Sequence, residues 1–272
     1  MAAVVSCVGS INVDATFRLD RLPERHEKLA AYEARLSGGG SAANTAVWLA
    51  RQGLRVLMHG WVGEDFPGAF ALQDLRANGV DTAGVNVLPA ATPVAACFAL
   101  PDDKRIVTSP KLDAPWAPDA AAARAGAAAW LHTTVCDRGF LTRARGGPPV
   151  SVELNGKYDA AFATLADFLF TNRDELERAA GAADPIGFIV ERHAADPAVW
   201  FVTQGEAGAA VIRGGKVACV SAAPVAVVDR TGGGDAFDAG VIAALLAGED
   251  LRDAAAAGLA LAAQALGRLG AR

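Results

Sequence analysis

The stretch Val225-Ala-Val-Val-Asp-Arg-Thr-Gly-Gly-Gly-Asp-Ala-Phe-Asp-Ala-Gly240 sets three consecutive glycines between a β-branched run and an alanine-rich one. The β-branched run reads as a buried strand ending at Asp229. Gly232, Gly233 and Gly234 let the backbone turn tightly and leave its N–H groups uncovered. From Asp235 onward, Ala236, Phe237, Ala239, Val241, Ile242, Leu245 and Leu246 keep the spacing of a helix packed on a sheet. A glycine turn feeding a helix N-terminus is an anion site, because free N–H groups and the positive dipole end converge there. Asp235, in the first helical turn, is favoured by the dipole. Beside a bound phosphate it is also placed to take a proton from a substrate hydroxyl. A plain Asp at the start of a helix is the competing reading of the same residue.

A second glycine-to-helix junction lies at Ser37-Gly-Gly-Gly-Ser-Ala-Ala-Asn-Thr-Ala-Val-Trp-Leu-Ala-Arg-Gln-Gly53. Gly38-x-Gly40-x-x-Ala43 formally fits a dinucleotide fingerprint. It follows a charged segment where that fingerprint needs a buried strand, and no acidic ribose ligand lies at the right distance. A nicotinamide-dependent oxidoreductase is therefore the weaker reading.

The rest of the chain alternates strand-like and helix-like runs. Ala2–Ile11, Leu54–Val62, Trp130–Val135, Pro149–Leu154, Phe168–Asn172 and Val199–Thr203 read as buried strands. Helical stretches intervene, which implies an α/β class with a mostly parallel central sheet covered by helices on both faces. Two segments break the pattern, about 15–37 and 92–110. Their weak alternation suits half-exposed strands, with a turn at Pro101–Lys104. Asn12 and Asp14 fall where the first strand should end, the edge at which open α/β sheets bind ligands. Glu153, Asn155 and Lys157 point to that same edge without a defined role. His132 lies inside a strand and reads as structural. Asn172, with Glu175 three residues on, forms a capping box.

At 272 residues, with 52% apolar and 20% charged side chains, the chain supports one large domain and excludes disorder. The net charge of −5 and the lack of a basic stripe argue against nucleic acid as the main partner. No apolar run is long enough to span a membrane. Cys7, Cys97, Cys136 and Cys219 are scattered, as expected of reduced thiols in a cytoplasmic protein.

Asp229-Arg-Thr-Gly-Gly-Gly-Asp-Ala-Phe-Asp-Ala-Gly240 resembles the C-terminal signature of the ribokinase-like (PfkB-type) family of sugar and nucleoside kinases. Gly39-Gly40-x-x-Ala43-Asn44 resembles its N-terminal signature, and Gly63-x-Asp65-x-x-Gly68, Asn172-x-x-Glu175 and Thr203-x-Gly205-x-x-Gly208 follow its pattern between them. The resemblance covers essentially the whole chain. It implies a single ribokinase-like domain over 1–272, with the two exceptional segments forming a small β lid. The implied activity is phosphoryl transfer from ATP to a hydroxymethyl group of a sugar. A nucleoside kinase, or a non-catalytic sugar- or nucleotide-binding member, is the alternative.

By the same resemblance Asp235 is the catalytic base, and Gly232, Gly233 and Gly234 are the anion hole. Asn12, Asp14, Gly39, Gly40 and Asn44 hold the acceptor, and Cys97 and Phe98 in the lid read equally as substrate-facing positions or as lid core. Asn172, Glu175, Thr203, Gly205, Gly208 and Leu259 surround the nucleotide. Glu175 holds Mg2+ through water, and Asp229 neighbours a K+ site, although Arg230 replaces the common Thr there. Relatives commonly read Asp-x-Asn-x-Arg where this chain has Glu153-x-Asn155-x-Lys157. A homodimer through the lid is the implied assembly.

Overall fold

The computed structural model describes residues 3–101, 103–109 and 117–272. Residue 2 of the first expected strand, residue 102 of the expected turn and residue 110 of the second lid segment lie outside these.

In chain order the strands are β1 (Val4–Val8), β2 (Asn12–Arg18), β3 (Glu33–Gly39), β4 (Arg55–Gly63), β5 (Val80–Leu88), β6 (Val94–Ala99), β7 (Lys104–Thr108), β8 (Trp130–Thr133), β9 (Val150–Glu153), β10 (Phe168–Asn172), β11 (Val199–Thr203), β12 (Ala209–Arg213) and β13 (Lys216–Val220). The helices are α1 (Ser41–Arg51), α2 (Phe66–Ala77), α3 (Pro118–Ala125), α4 (Arg138–Ala144), α5 (Phe162–Leu165), α6 (Arg173–Ala180), α7 (Pro185–Arg192), α8 (Gly233–Leu246) and α9 (Leu251–Leu266).

Among the described residues one sheet has nine strands, in the order β13-β12-β11-β10-β9-β8-β1-β4-β5. From β11 to β5 every pairing is parallel, and β12 and β13 close one edge as an antiparallel hairpin. Parallel strands need both faces covered, and two apolar clusters do this. Val5 and Cys7 of β1 pack with α1, α2, α8 and α9. Val8 packs with α3, α4, α6 and α7 on the opposite face. The strand order reverses direction at β1, so ligands are expected beyond the C-terminal ends of the strands around it.

The second sheet has the order β3-β2-β6-β7. Its register separates two faces. Asp14 pairs with Ser37 and Ala95, and Thr16 with Cys97, so these side chains share the buried face. Phe17 and Phe98 share the other, where their rings stack 5.9 Å apart. Phe98 therefore faces away from Asp14, which corrects its placement beside Cys97 as a substrate-facing position. The alternation of a strand puts neighbours on opposite faces.

Two other expectations are corrected. The first strand ends at Val8, and Asn12 and Asp14 belong to β2 in the small sheet. The Val225–Asp229 run forms no strand, and Val225 and Val227 are 39% and 41% exposed. The chain instead runs alongside α9, with the Val228 and Asp229 N–H groups donating to Leu266 O.

Candidate functional site

α2, α4, α6, α7 and α9 each begin on a side chain that accepts a hydrogen bond from the first turn, namely Asp65, Asp137, Asn172, Asp184 and Asp250. α1 and α8 do not. Both start at a glycine, Gly40 and Gly232, with no side-chain cap. In α1 the Ala43 N–H donates to Ser10 O at 3.3 Å, while the N–H groups ahead of it and those opening α8 are left for an outside acceptor. These two helices pack together, so two uncapped positive ends converge.

Asp235, partly buried in the first turn of α8, sits between them. Ser41 Oγ donates to its Oδ1 at 2.6 Å, and Asn44 Nδ2 to its Oδ2 at 2.8 Å. Burial raises the Asp235 pKa, while the bonds from Ser41 and Asn44 oppose that by favouring the carboxylate. Asn44, expected on the acceptor, donates to Asp235. Ser41 is a site residue that the sequence reading missed. Its signal was a hydroxyl at the first helical position after a glycine loop.

The three glycines of the α8 loop differ. Gly232 has φ 78°, and a side chain there would meet Ala271 O at 2.4 Å. At Gly233 it would meet Leu266 at 3.0 Å, and at Gly234 nothing lies within 4 Å. Only Gly234 opens onto free space. Asp229, buried below the loop, accepts from Thr231 N and Oγ1 and from Gly270 N, tying the loop to the 269–271 segment. Those three donors engage the carboxylate that was expected beside a cation.

Asp14 is 6% exposed and lies under Gly39, where an added side chain would meet its carboxylate at 2.2 Å. Burial pushes its pKa up to about 6, with Arg272 pulling against it and Asp235 and Asp229 adding to it. Gly40, with φ 91°, passes within 2.5 Å of Ser10 O when a Cβ is placed on it. Both glycines are there for close backbone approach. Asn12 opens β2 opposite Gly39.

Asn172 and Thr203 end adjacent parallel strands and are paired in register. Asn172 Oδ1 accepts from Glu175 N at 2.8 Å, which completes the expected cap. Gly205 has open space around it, whereas Gly208 is required by contact with Val220 O. Leu259 lies midway along α9, packed against the core shared with α8.

Glu153, whose role the sequence left open, links the two halves. Burial pushes its pKa up to about 8 against the hydrogen bond from Asn155 N, with Glu175 and Asp235 adding repulsion. Asp238, one turn after Asp235, is raised well above the usual carboxylate range, first by burial and then by Glu153. Burial and repulsion from neighbouring carboxylates push both carboxyls toward the protonated form.

The chemistry fits a nucleotide. The open side of Gly234 at an uncapped helix end suits a phosphoryl group. Among the described residues no group of three His, Cys, Asp or Glu would hold a metal alone. The oxygens of Glu175 and Asn172 fit a magnesium ion that keeps its waters and leans on phosphate. No described helix is long and apolar enough to cross a membrane.

The family described as pfkB family carbohydrate kinase matches residues 2–272. An ATP-dependent ribose-1-phosphate kinase of Halopiger xanaduensis is 32% identical over all of this chain and 94% of its own length. A nucleoside kinase of Methanothermobacter thermautotrophicus is 30% identical over 90% of this chain and 83% of its own. The ribokinase of Arabidopsis thaliana, solved with ribose and ATP, superposes with a TM-score of 0.80 at 23% identity, over all of this chain and 95% of that one.

Proposed function

The chain belongs to the pfkB family of carbohydrate kinases, and on that premise we propose that it transfers the γ-phosphoryl group of ATP to a hydroxymethyl group of a sugar. The observation that carries this reading is the meeting of two uncapped helix ends at Asp235. The relatives named for ribose-1-phosphate and for nucleosides favour a ribosyl acceptor.

Transfer of a phosphoryl group asks mainly for positioning, charge neutralisation and a base that orients the nucleophile. Asp14 and Asn12 hold sugar hydroxyls on the buried face of the small sheet, with Gly39 and Gly40 giving the sugar access to the backbone. Asp235 Oδ1, directed by Ser41 and Asn44, takes the hydroxymethyl proton. The free N–H groups at Gly233 and Gly234 receive charge developing on the transferring group. Thr203 and Gly205 line the phosphate path, and Leu259 lies toward the base. Glu175, through water, would hold a magnesium ion that would neutralise charge on the phosphates. The small sheet acts as a lid that keeps water from the reaction. Its outer apolar face, with Phe17, Leu29 and Phe98 around a hollow of about 420 Å³, supports pairing of two copies through the lid.

The test is magnesium-dependent ADP release across a panel of pentoses, their phosphates and nucleosides. Acceptor-dependent release is the expected result. ATP binding without release on any acceptor would favour a non-catalytic binding member. No ATP binding at all would remove the nucleotide assignments.

A pH dependence follows from Asp14. Sugar hydroxyls donate to its ionised form, so binding needs the proton off. With the pKa raised to about 6, kcat/KM for the acceptor should fall as pH drops through that region, about tenfold per unit below it. An acceptor KM that stays flat from pH 8 to 5 would remove Asp14 from the acceptor.

A further inference from the structure

The Gly63-x-Asp65-x-x-Gly68 motif has no part in the site described above, yet its side chain is fully engaged. Asp65 caps α2 by accepting from Gly68 N at 2.8 Å. The same carboxylate reaches the connection from β5 to β6. It accepts from Thr92 Oγ1 at 2.6 Å and from Thr92 N at 2.8 Å. Thr92 Oγ1 in turn accepts from Gly63 N at 2.8 Å, at the end of β4. Thr92 is 3% exposed, and its bond from Gly63 N is buried, while the three bonds to Asp65 are partly buried.

The glycines are part of this knot. A side chain at Gly63 would meet Ala90 O at 2.0 Å, and one at Gly68 would meet Gly63 O at 2.2 Å and Thr92 Oγ1 at 2.8 Å. The motif therefore draws the β5–β6 connection against the large sheet.

Two residues after Thr92 the chain enters the small sheet. Pro93 O accepts from Val13 N at 3.0 Å, Val94 pairs with Val13, and Ala95 pairs with Asp14. The height of β6 thus sets the height of β2 and of the Asp14 carboxylate. Residues 9–11, another crossing, reach the large sheet through the backbone bond from Gly9 N to His59 O at 3.0 Å, and Arg35 of β3 donates to Leu269 O and Arg272 O; Asp65 and Thr92 hold the β5–β6 crossing.

We propose that Asp65 and Thr92 form a clasp that anchors the small sheet to the large one, and so act as positioning residues for the acceptor. The kinetic part of this inference rests on the kinase reading, but its structural part does not.

The test compares Asp65→Asn, Thr92→Val and Thr92→Ser with the wild type. Asp65→Asn keeps an oxygen for Gly68 N while turning an N–H toward the Thr92 N–H, so it opens the lid side alone. Amide hydrogen exchange in the free protein is expected to quicken about tenfold in β2 and β6 and to stay unchanged in β1, β4 and β8. Acceptor KM should rise about tenfold, with kcat and the KM for ATP held within about twofold. Thr92→Ser, which restores the hydroxyl, should return both readouts to wild type. Unchanged exchange in β2 and β6, acceleration spread over both sheets, or an equal rise in the KM for ATP would overturn the clasp. If Thr92→Val does not fold, Asp65→Asn and Thr92→Ser decide the matter. If the wild type turns over no acceptor, the kinase reading fails, and the exchange pattern still decides the clasp.

Discussion

Asp235→Asn is expected to lower acceptor-dependent turnover by about 10²–10⁴-fold, with ATP affinity largely kept. The substitution is close to isosteric, and the surroundings can absorb it. Ser41 Oγ still finds an oxygen at Oδ1. The amide opposite Asn44 meets a side chain whose own Oδ1 has no partner, so a flip of Asn44 restores that hydrogen bond. The fold and the uncapped N–H groups of α8 then persist, and only proton acceptance is lost. ADP release, ATP titration and the melting temperature are the measurements. Turnover near wild type would mean that the reaction does not pass its proton through this residue.

The residues that a short window could place were those whose partners are close in sequence. The α8 loop, the Asn172 cap and the buried parallel strands are set by glycines, a three-residue spacing and unbroken apolar runs. Their chemistry follows from helix ends, which a sequence displays directly. The bond from Asn44 to Asp235 was not legible locally, because the two lie 191 residues apart. Ser41 was passed over for the same reason. The clasp needs Thr92, 27 residues from Asp65.

Failures of the strand reading have a different cause. Val225–Val228 carries the β-branched residues of a strand, but the run is held by a backbone bond from Val228 N to Leu266 O of α9, not by a strand. The small sheet shows the converse. Its buried face is made of Asp14, Thr16, Ser37, Ala95, Cys97 and Ala99, polar or small residues that do not read as a core. Burial there comes from closing over a cleft. Hydrophobic alternation could not have distinguished that face from solvent, and the sequence reading grouped Cys97 with Phe98 although adjacent strand residues take opposite faces.

Gly234→Ala should leave the protein as stable as the wild type or more so, and should lower phosphoryl transfer by about 10²–10³-fold. The two effects have separate causes. Gly234 lies in α8 outside the positive-φ glycines, and a methyl there meets nothing within 4 Å. Replacing a helical glycine by alanine normally stabilises by about 0.5–1 kcal/mol. The open space into which the methyl projects is, on the proposed reading, where the transferring phosphoryl group approaches the helix N–H groups. Gly232→Ala cannot make this distinction, because φ 78° and the contact with Ala271 O would disturb the fold itself. Gly233→Ala is cushioned by Leu266 at 3.0 Å and should lie between the two. A stable Gly234→Ala protein with full turnover would show that the phosphoryl group passes elsewhere. A drop in melting temperature would show that the space beside Gly234 is filled. Unchanged stability with lost transfer is the combination that an anion hole at this helix end requires.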